Sequence, residues 1–159
     1  MSGPWAGARV IAIDPGRGKC GLAALGPDAR LLFKAVVPTS ELADHLTGMI
    51  PDALDAAVVI GDGTSSKDAQ AALRQALPDL TLVVVPEAHS TERALERWRD
   101  VVAPRGWRRF VPRAFRFPPE PIDDFAAWVL AEDFLPKKGT PYQFPCMHPE
   151  NPGRTPPGD

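Results

Sequence analysis

Three short apolar runs, each followed within two residues by an acidic residue, constrain most strongly what this chain can fold into. They span Ala8 to Ile13, Ala56 to Ile60 and Leu80 to Val85, and the acids that follow them are Asp14, Asp62 and Glu87. Consecutive apolar positions over so few residues are typical of strands buried on both faces of a sheet. In an open α/β sheet the carboxyl ends of strands meet at a crevice. The pattern therefore predicts an acidic site at one edge of an α/β sheet.

The remaining segments complete an alternating order. Lys19 to Leu25 and Arg30 to Val37 are predicted strands, and the turn-forming Gly26 to Ala29 between them predicts a hairpin. Helices are predicted in four places. Apolar residues at spacings of three and four indicate the first and the last, a run of good helix formers indicates the second, and the opening Ser90-Thr91-Glu92-Arg93 indicates the third. The four helices are Thr39 or Ser40 to about Pro51, Asp68 to Leu77, Ser90 to about Arg99, and Pro121 to about Leu135. The predicted order is βββαβαβα as far as the third helix, and the helix that starts at Pro121 follows it.

The length of 159 residues fits one folded domain. We assign residues 1–135 to that domain and 136–159 to a separate tail, because seven of the last 24 residues are proline and the tail is expected to be extended or disordered. Residues 100–120 are rich in proline, arginine and aromatics without a clear period. They are expected to form a long irregular connection.

Several functional classes are excluded by what the sequence lacks. No run approaches the roughly 18 apolar residues of a membrane span, and the first residues have no long apolar segment after a basic start, so we expect a cytoplasmic protein. Cys20 and Cys146 lie far apart and match no metal-binding spacing, so reduced thiols are expected. The net charge of −2 argues against indiscriminate binding of polyanions.

The acids have an ordinary interpretation when taken singly and a chemical one when taken together. Asp14 and Asp62 could be turn residues, Glu87 could be solvated, and Asp123 and Asp124 suit the start of a helix. Carboxylates that converge on one edge of a sheet, however, need a counter-charge. Oxygen ligands without a histidine or cysteine cluster favour Mg²⁺ or Mn²⁺ over zinc. The five acids are therefore candidate metal ligands.

A basic segment offers a surface for nucleic acid. The segment from Arg93 to Arg116 contains eight arginines and two acids, a local net charge of +6, and aromatic residues lie between the arginines. Guanidinium groups hold phosphates while rings stack on bases, which favours branched or single-stranded nucleic acid over plain duplex. The alternative is that the rings cap the core and the arginines are a solvated face. The candidate contacts are Lys19, Arg93, Arg97, Arg105, Trp107, Arg108, Arg109, Arg113 and Arg116.

Four segments together resemble a known nuclease family. Residues 10–24, VIAIDPGRGKCGLAA, resemble the opening strand pair of the RuvC and YqgF (RuvX) branch of the ribonuclease H-like nucleases. Residues 84–94, VVPEAHSTERA, resemble its glutamate segment, and residues 123–127, DDFAA, resemble its final-helix motif. Residues 59–66, VIGDGTSS, are closer to the YqgF-like domain of the transcription accessory protein Tex. Pro86 and Ala88 depart from the family, which often has aspartate and arginine there.

The resemblance implies a ribonuclease H-like fold, a mixed five-stranded sheet with helices on both faces. It implies Asp14, Glu87 and Asp123 as catalytic acids, and Mg²⁺- or Mn²⁺-dependent hydrolysis of phosphodiesters. In that reaction one ion activates water and a second, about 3.5–4 Å away, stabilises the leaving oxygen. Asp14 would bridge the ions, and Asp62 or Asp124 could complete the set.

The substrate and assembly implied by the resemblance are a Holliday junction and a homodimer, because the junction has approximate two-fold symmetry. DNA is favoured and RNA stays open, since YqgF relatives resemble proteins that process ribosomal RNA precursors. A module of the same fold that binds nucleic acid without cutting it is the principal alternative from another class. The departures at Pro86 and Ala88 favour that alternative.

Overall fold

The computed structural model describes residues 3–52, 56–87 and 90–135. These residues form a mixed five-stranded sheet with the order β3-β2-β1-β4-β5. The central strand β1 pairs with β2 antiparallel and with β4 parallel, β3 is antiparallel to β2, and β5 is parallel to β4. The strands are β1 (Val10–Pro15), β2 (Lys19–Leu25), β3 (Leu31–Pro38), β4 (Ala57–Gly61) and β5 (Leu82–Val85).

Helices cover both faces of this sheet. They are α1 (Leu42–Met49), α2 (Ser66–Ala76), α3 (Ser90–Val101) and α4 (Asp123–Phe134). On one face α1 and α2 bury Leu46 and Leu73 against Ile11 and Ile13 of β1. On the other face α4 packs on the sheet, and α3 packs on α4. The predicted α/β class, with a mixed five-stranded sheet and helices on both faces, is confirmed.

Three predicted helix starts were wrong: α2 begins at Ser66 rather than Asp68, and two other helices begin later than predicted. The helix expected to be capped by Thr39 or Ser40 begins at Leu42, after a 3₁₀ turn over Thr39–Glu41 that has no side-chain cap. The last helix begins at Asp123 rather than Pro121, because Ile122 has φ −102° and ψ 42°, outside the helical region. This later start places an acid on the first residue of α4.

The connection between α3 and α4 is irregular, as predicted. It contains only short 3₁₀ turns, at Gly106–Phe110 and Arg113–Phe115. Cys20 is a buried free thiol. The predicted tail, 136–159, and Cys146 within it lie outside the described residues, and none of the helices that the structure describes is both long and apolar enough to cross a bilayer.

Candidate acidic site and arginine-rich groove

The side-chain alternation of β1 selects the face on which the first acid lies. Val10 and Ala12 of β1 pack under Leu130 of α4. Successive side chains of a strand point to opposite faces, so Asp14, two residues further on, lies on the α4 face. Val85 of β5 packs in the same cluster, and Glu87 follows it at the same period of two. Asp14 and Glu87 therefore share one face, at the carboxyl ends of their strands.

A glycine brings the start of α4 onto the sheet beside Asp14. Gly21 of β2 is the register partner of Asp14. A Cβ atom at Gly21 would lie 1.9 Å from the backbone carbonyl oxygen of Asp123, which is far inside van der Waals contact. Only a residue without a side chain fits between this strand and the first turn of α4, so Asp123 is held next to Asp14.

Two further glycines make room for Glu87. A Cβ at Gly61 would lie 2.0 Å from Glu87 Oε1, and a Cβ at Gly63 would lie 2.4 Å from Glu87 Oε2. The carboxylate of Glu87 therefore rests directly over these glycines. Between them, Asp62 accepts a hydrogen bond at its Oδ1 from the backbone N–H of Glu87, at 3.0 Å.

The three acids interact electrostatically. Burial, first, and then the negative charge of Glu87 raise the pKa of Asp14 to about 7, with the charge of Asp123 and a hydrogen bond to the Glu87 carboxyl acting in the same direction. Glu87 Oε1 is buried and has no hydrogen-bond partner among the residues that the structure describes. A buried carboxylate oxygen without a partner is costly, so this pair of acids calls for a proton or a cation.

The two neighbouring aspartates of α4 have different partners. Asp123 Oδ2 lies 3.7 Å from Lys19 Nζ, at the start of β2. Asp124 forms an ion pair with Lys34 of β3, and its Oδ1 accepts a hydrogen bond from the backbone N–H of Phe125 at 3.0 Å. Asp123 is thus part of the acidic site, whereas the ion pair of Asp124 links α4 to the edge strand β3.

These carboxylates fit a hard divalent cation in their chemistry. Within the described ranges, no group of three or more His, Cys, Asp or Glu side chains is arranged to hold a metal ion. The Asp14 and Glu87 pair nevertheless supplies oxygen donors, including the unpartnered Oε1, and Asp123 is a charged neighbour. The ammonium group of Lys19 is the counter-charge to Asp123. Asp62 is bonded to the backbone of Glu87, and Asp124 is paired with Lys34.

Two of the candidate arginines join α3 to α4. Arg93 forms an ion pair with Asp133, and Arg97 forms one with Glu132. The guanidinium of Arg97 also lies 4.8 Å from the ring centre of Trp128. These two arginines therefore anchor the last turns of α4, a use that their sequence positions did not reveal.

Two more arginines stabilise the irregular connection. Arg113 lies 2.6 Å from Asp100 and 3.1 Å from Glu96. Arg116 donates from Nε to the carbonyl oxygen of Val111 at 2.8 Å. Arg113 thus ties the connection to α3, and Arg116 bonds within the connection.

Three arginines remain exposed beside aromatic rings. No ion pair involves Arg105, Arg108 or Arg109 among the residues described. Trp107 and Phe110, on the same 3₁₀ turn, are 72% and 78% exposed. A groove of about 780 Å³ opens here, lined by residues that include Trp98, Val102, Arg105, Trp107, Arg108 and Phe115. We call it the arginine-rich groove; the acidic site lies outside its lining.

Sequence reasoning missed several residues that build the site. Gly21, Gly61 and Gly63 carry no chemistry, although an isolated glycine within a strand is itself a signal of close approach. Lys34 separates the roles of Asp123 and Asp124, but no local pattern links it to a residue 90 positions away. The partners of Arg93 and Arg97, likewise, come from the far end of α4.

Comparison with known proteins gives a distant structural likeness. No family model and no curated protein matches the chain. Among solved structures, one described as "Thermus thermophilus RuvC structure" is similar at 15% identity, covering 77% of this chain and 89% of that chain, with a TM-score of 0.48. A likeness this distant transfers no residue role, and the resemblance to the YqgF branch stays a prediction.

Proposed function

We propose that this chain is a Mg²⁺- or Mn²⁺-dependent endonuclease that cuts phosphodiester bonds in branched DNA, in the manner of a Holliday junction resolvase. The observation that carries the proposal is the acidic site itself. Asp14 and Glu87 lie together on the α4 face, Asp123 is held beside them by Gly21, and Glu87 Oε1 is buried without a partner among the described residues. Maintaining such an arrangement costs stability, and functional sites are where such costs are found.

Asp14, Glu87 and Asp123 would hold the cation. When bound, a divalent ion supplies a Lewis acid that lowers the pKa of water and stabilises a leaving oxygen. Two of the chain's own residues would contribute to this site. Asp14 is partly buried, which limits its contact with water, and Lys19, 44% exposed, can turn from Asp123 to a substrate phosphate. Asp62 and Asp124 have other partners and are not needed as ligands in this proposal.

The arginine-rich groove would hold the nucleic acid. Arg105 and Arg108 line the groove, and neither they nor the adjacent Arg109 form an ion pair within the described residues. The ring of Trp107 is exposed for stacking on an unpaired base. Arg93, Arg97, Arg113 and Arg116 were candidates as well, and their contacts within the chain give them an alternative use. Two sites on a two-fold symmetric junction imply a homodimer.

The test is cleavage of end-labelled substrates by the wild type and by Asp14→Asn. Four-way junction, flap, single-stranded DNA and structured RNA are each incubated with Mn²⁺, Mg²⁺ or a chelator. We expect metal-dependent cutting of the junction that the substitution abolishes. Cutting of RNA in preference to the junction would reassign the protein to RNA processing.

One observation favours a second candidate, a module that binds nucleic acid without cutting it. Lys19 Nζ already lies 3.7 Å from Asp123, and a lysine can replace a metal ion as the counter-charge in an inactive site. Tight binding of the junction with no cutting under any metal, and no Mn²⁺ binding by calorimetry, would select this candidate.

A further inference from the structure

The segment Gly61-Asp62-Gly63, which we call the cradle, lies directly under the side chain of Glu87. It continues the pairing of β4 with β5, because the backbone N–H of Asp62 donates to the carbonyl oxygen of Val85 at 3.0 Å. The side chain of Asp62 then returns toward β5 and accepts the N–H of Glu87, also at 3.0 Å. The backbone and the side chain of Asp62 therefore bond to Val85 and Glu87, the residues on either side of Pro86.

The hydrogen bond from the Glu87 N–H to Asp62 replaces a backbone hydrogen bond that β5 cannot continue at Pro86. Pro86 has no N–H, so the first donor available after Val85 is that of Glu87. A carboxylate acceptor makes this bond charge-assisted and therefore stronger than a neutral one. It fixes the backbone from which the Glu87 side chain extends over the cradle.

We propose that Asp62 is a positioning residue: it fixes the backbone of Glu87 so that the Glu87 carboxylate lies over the two glycines and beside Asp14, and it does not itself bind the cation. The inference rests on the proposed function for the role of Glu87. It differs from the sequence-based prediction, in which Asp62 was a metal ligand.

The first test needs no metal. Exchange of the Glu87 amide hydrogen is measured by NMR in the wild type, Asp62→Ala and Asp62→Asn. We expect about tenfold faster exchange in the alanine variant, because a hydrogen bond to a charged acceptor is lost. The asparagine variant keeps an acceptor oxygen and should stay within about threefold of the wild type. Equal exchange in all three proteins would overturn the proposal.

The second test measures Mn²⁺ binding by calorimetry. Asp62→Ala should weaken binding about tenfold, as loss of an outer-shell partner does, whereas Asp62→Asn should bind nearly as the wild type. In a Glu87→Gln background, Asp62→Ala should add no further loss, since its effect passes through Glu87. If Asp62→Asn is as weak as Asp62→Ala, the carboxylate itself is a ligand and the proposal is wrong.

A third variant displaces Glu87 without altering Asp62. The new Cβ of Gly61→Ala would meet the flexible Glu87 side chain, so the fold should survive while Mn²⁺ binding weakens. If Asp62→Ala does not fold, Asp62→Asn and Gly61→Ala decide the question: retained affinity in the first with loss in the second supports positioning, and the reverse overturns it. Absence of Mn²⁺ binding by the wild type would refute the proposed function alone, because the exchange experiment still tests the bond to Asp62.

Discussion

Gly21 and Asp123 approach each other so closely that a single added methyl group at Gly21 would lie 1.9 Å from the Asp123 carbonyl oxygen. The contact is between two pieces of backbone, so no rotamer change relieves it. It fixes the distance of α4 from the sheet and, with it, the position of the Asp123 carboxylate.

The variant Gly21→Ala should therefore be strongly destabilised. Forcing a methyl group against backbone in a packed interior costs about 3 kcal/mol of unfolding free energy, measured by urea denaturation. Gly48→Ala is the matched control, because a Cβ there meets nothing within 4 Å and Gly48 lies within α1. That control should gain up to about 1 kcal/mol. Equal effects at the two positions would contradict the close approach.

Asp14 makes stability depend on pH. Its pKa is about 7 in the folded protein against 3.8 as the ordinary value, so the folded state binds more protons between these values. Stability should consequently fall as pH rises from about 4 to about 7, by at most about 4 kcal/mol from this group. Asp14→Asn removes the charge, and its gain in melting temperature over the wild type should be large at pH 8 and vanish near pH 4.

The melting temperatures of the wild type and of Asp14→Asn should also respond differently to divalent cations. Mn²⁺ should raise the melting temperature of the wild type at pH 8, because it binds only the folded carboxylates. It should leave Asp14→Asn nearly unchanged. A cation effect of the same size in both proteins would place the ion elsewhere.

The tandem aspartates should respond in opposite ways to the same substitution. Asp124→Asn takes the partner from half-buried Lys34, which should cost about 1–2 kcal/mol of unfolding free energy while cleavage is kept. Asp123→Asn should abolish cleavage with little loss of stability, since Lys19 is 44% exposed. Urea denaturation and junction cleavage on both variants measure the two effects, and loss of cleavage in Asp124→Asn would reverse the assignment.

The arginine-rich groove predicts which arginines matter for nucleic acid. Replacing Arg105 and Arg108, which line the groove, by glutamine should weaken single-strand binding and reduce the slope of log K against log salt by about 1.4, if each contacts one phosphate. Replacing Arg93 and Arg113, which are paired to acids, removes the same charge and should change the slope less. Fluorescence anisotropy at several salt concentrations compares them, and equal slopes would remove the groove from the interface.

Trp107 should discriminate between unpaired and paired strands. Trp107→Ala should cost about 2 kcal/mol of binding free energy for a single strand, through loss of one stacked base. Blunt duplex, whose bases are already stacked, should lose much less. The same anisotropy assay measures both ligands, and an equal loss would show that the ring packs against protein or backbone instead.

The sequence was informative where the physics is local. Short apolar runs followed by an acid predicted Asp14 and Glu87 at strand ends, and the structure confirms the five strands and their sheet. It failed where a partner comes from far along the chain. Arg93 meets Asp133 forty residues away, so its charge could not be separated from that of Arg108 by spacing alone. The start of α4 was misplaced because Pro121 favours the first position of a helix, whereas the backbone at Ile122 is still turning.

Three glycines set the shape of the site around the carboxylates, because the space that their side chains would fill is taken up by the acids and by the backbone of α4. Gly21 admits the backbone of α4, and Gly61 and Gly63 admit the Glu87 carboxylate. Each lacks any group that could donate, accept or titrate from a side chain. A search for chemistry by residue type passes over these positions, yet a methyl group at any one of them would displace an acid while leaving every acidic residue in place.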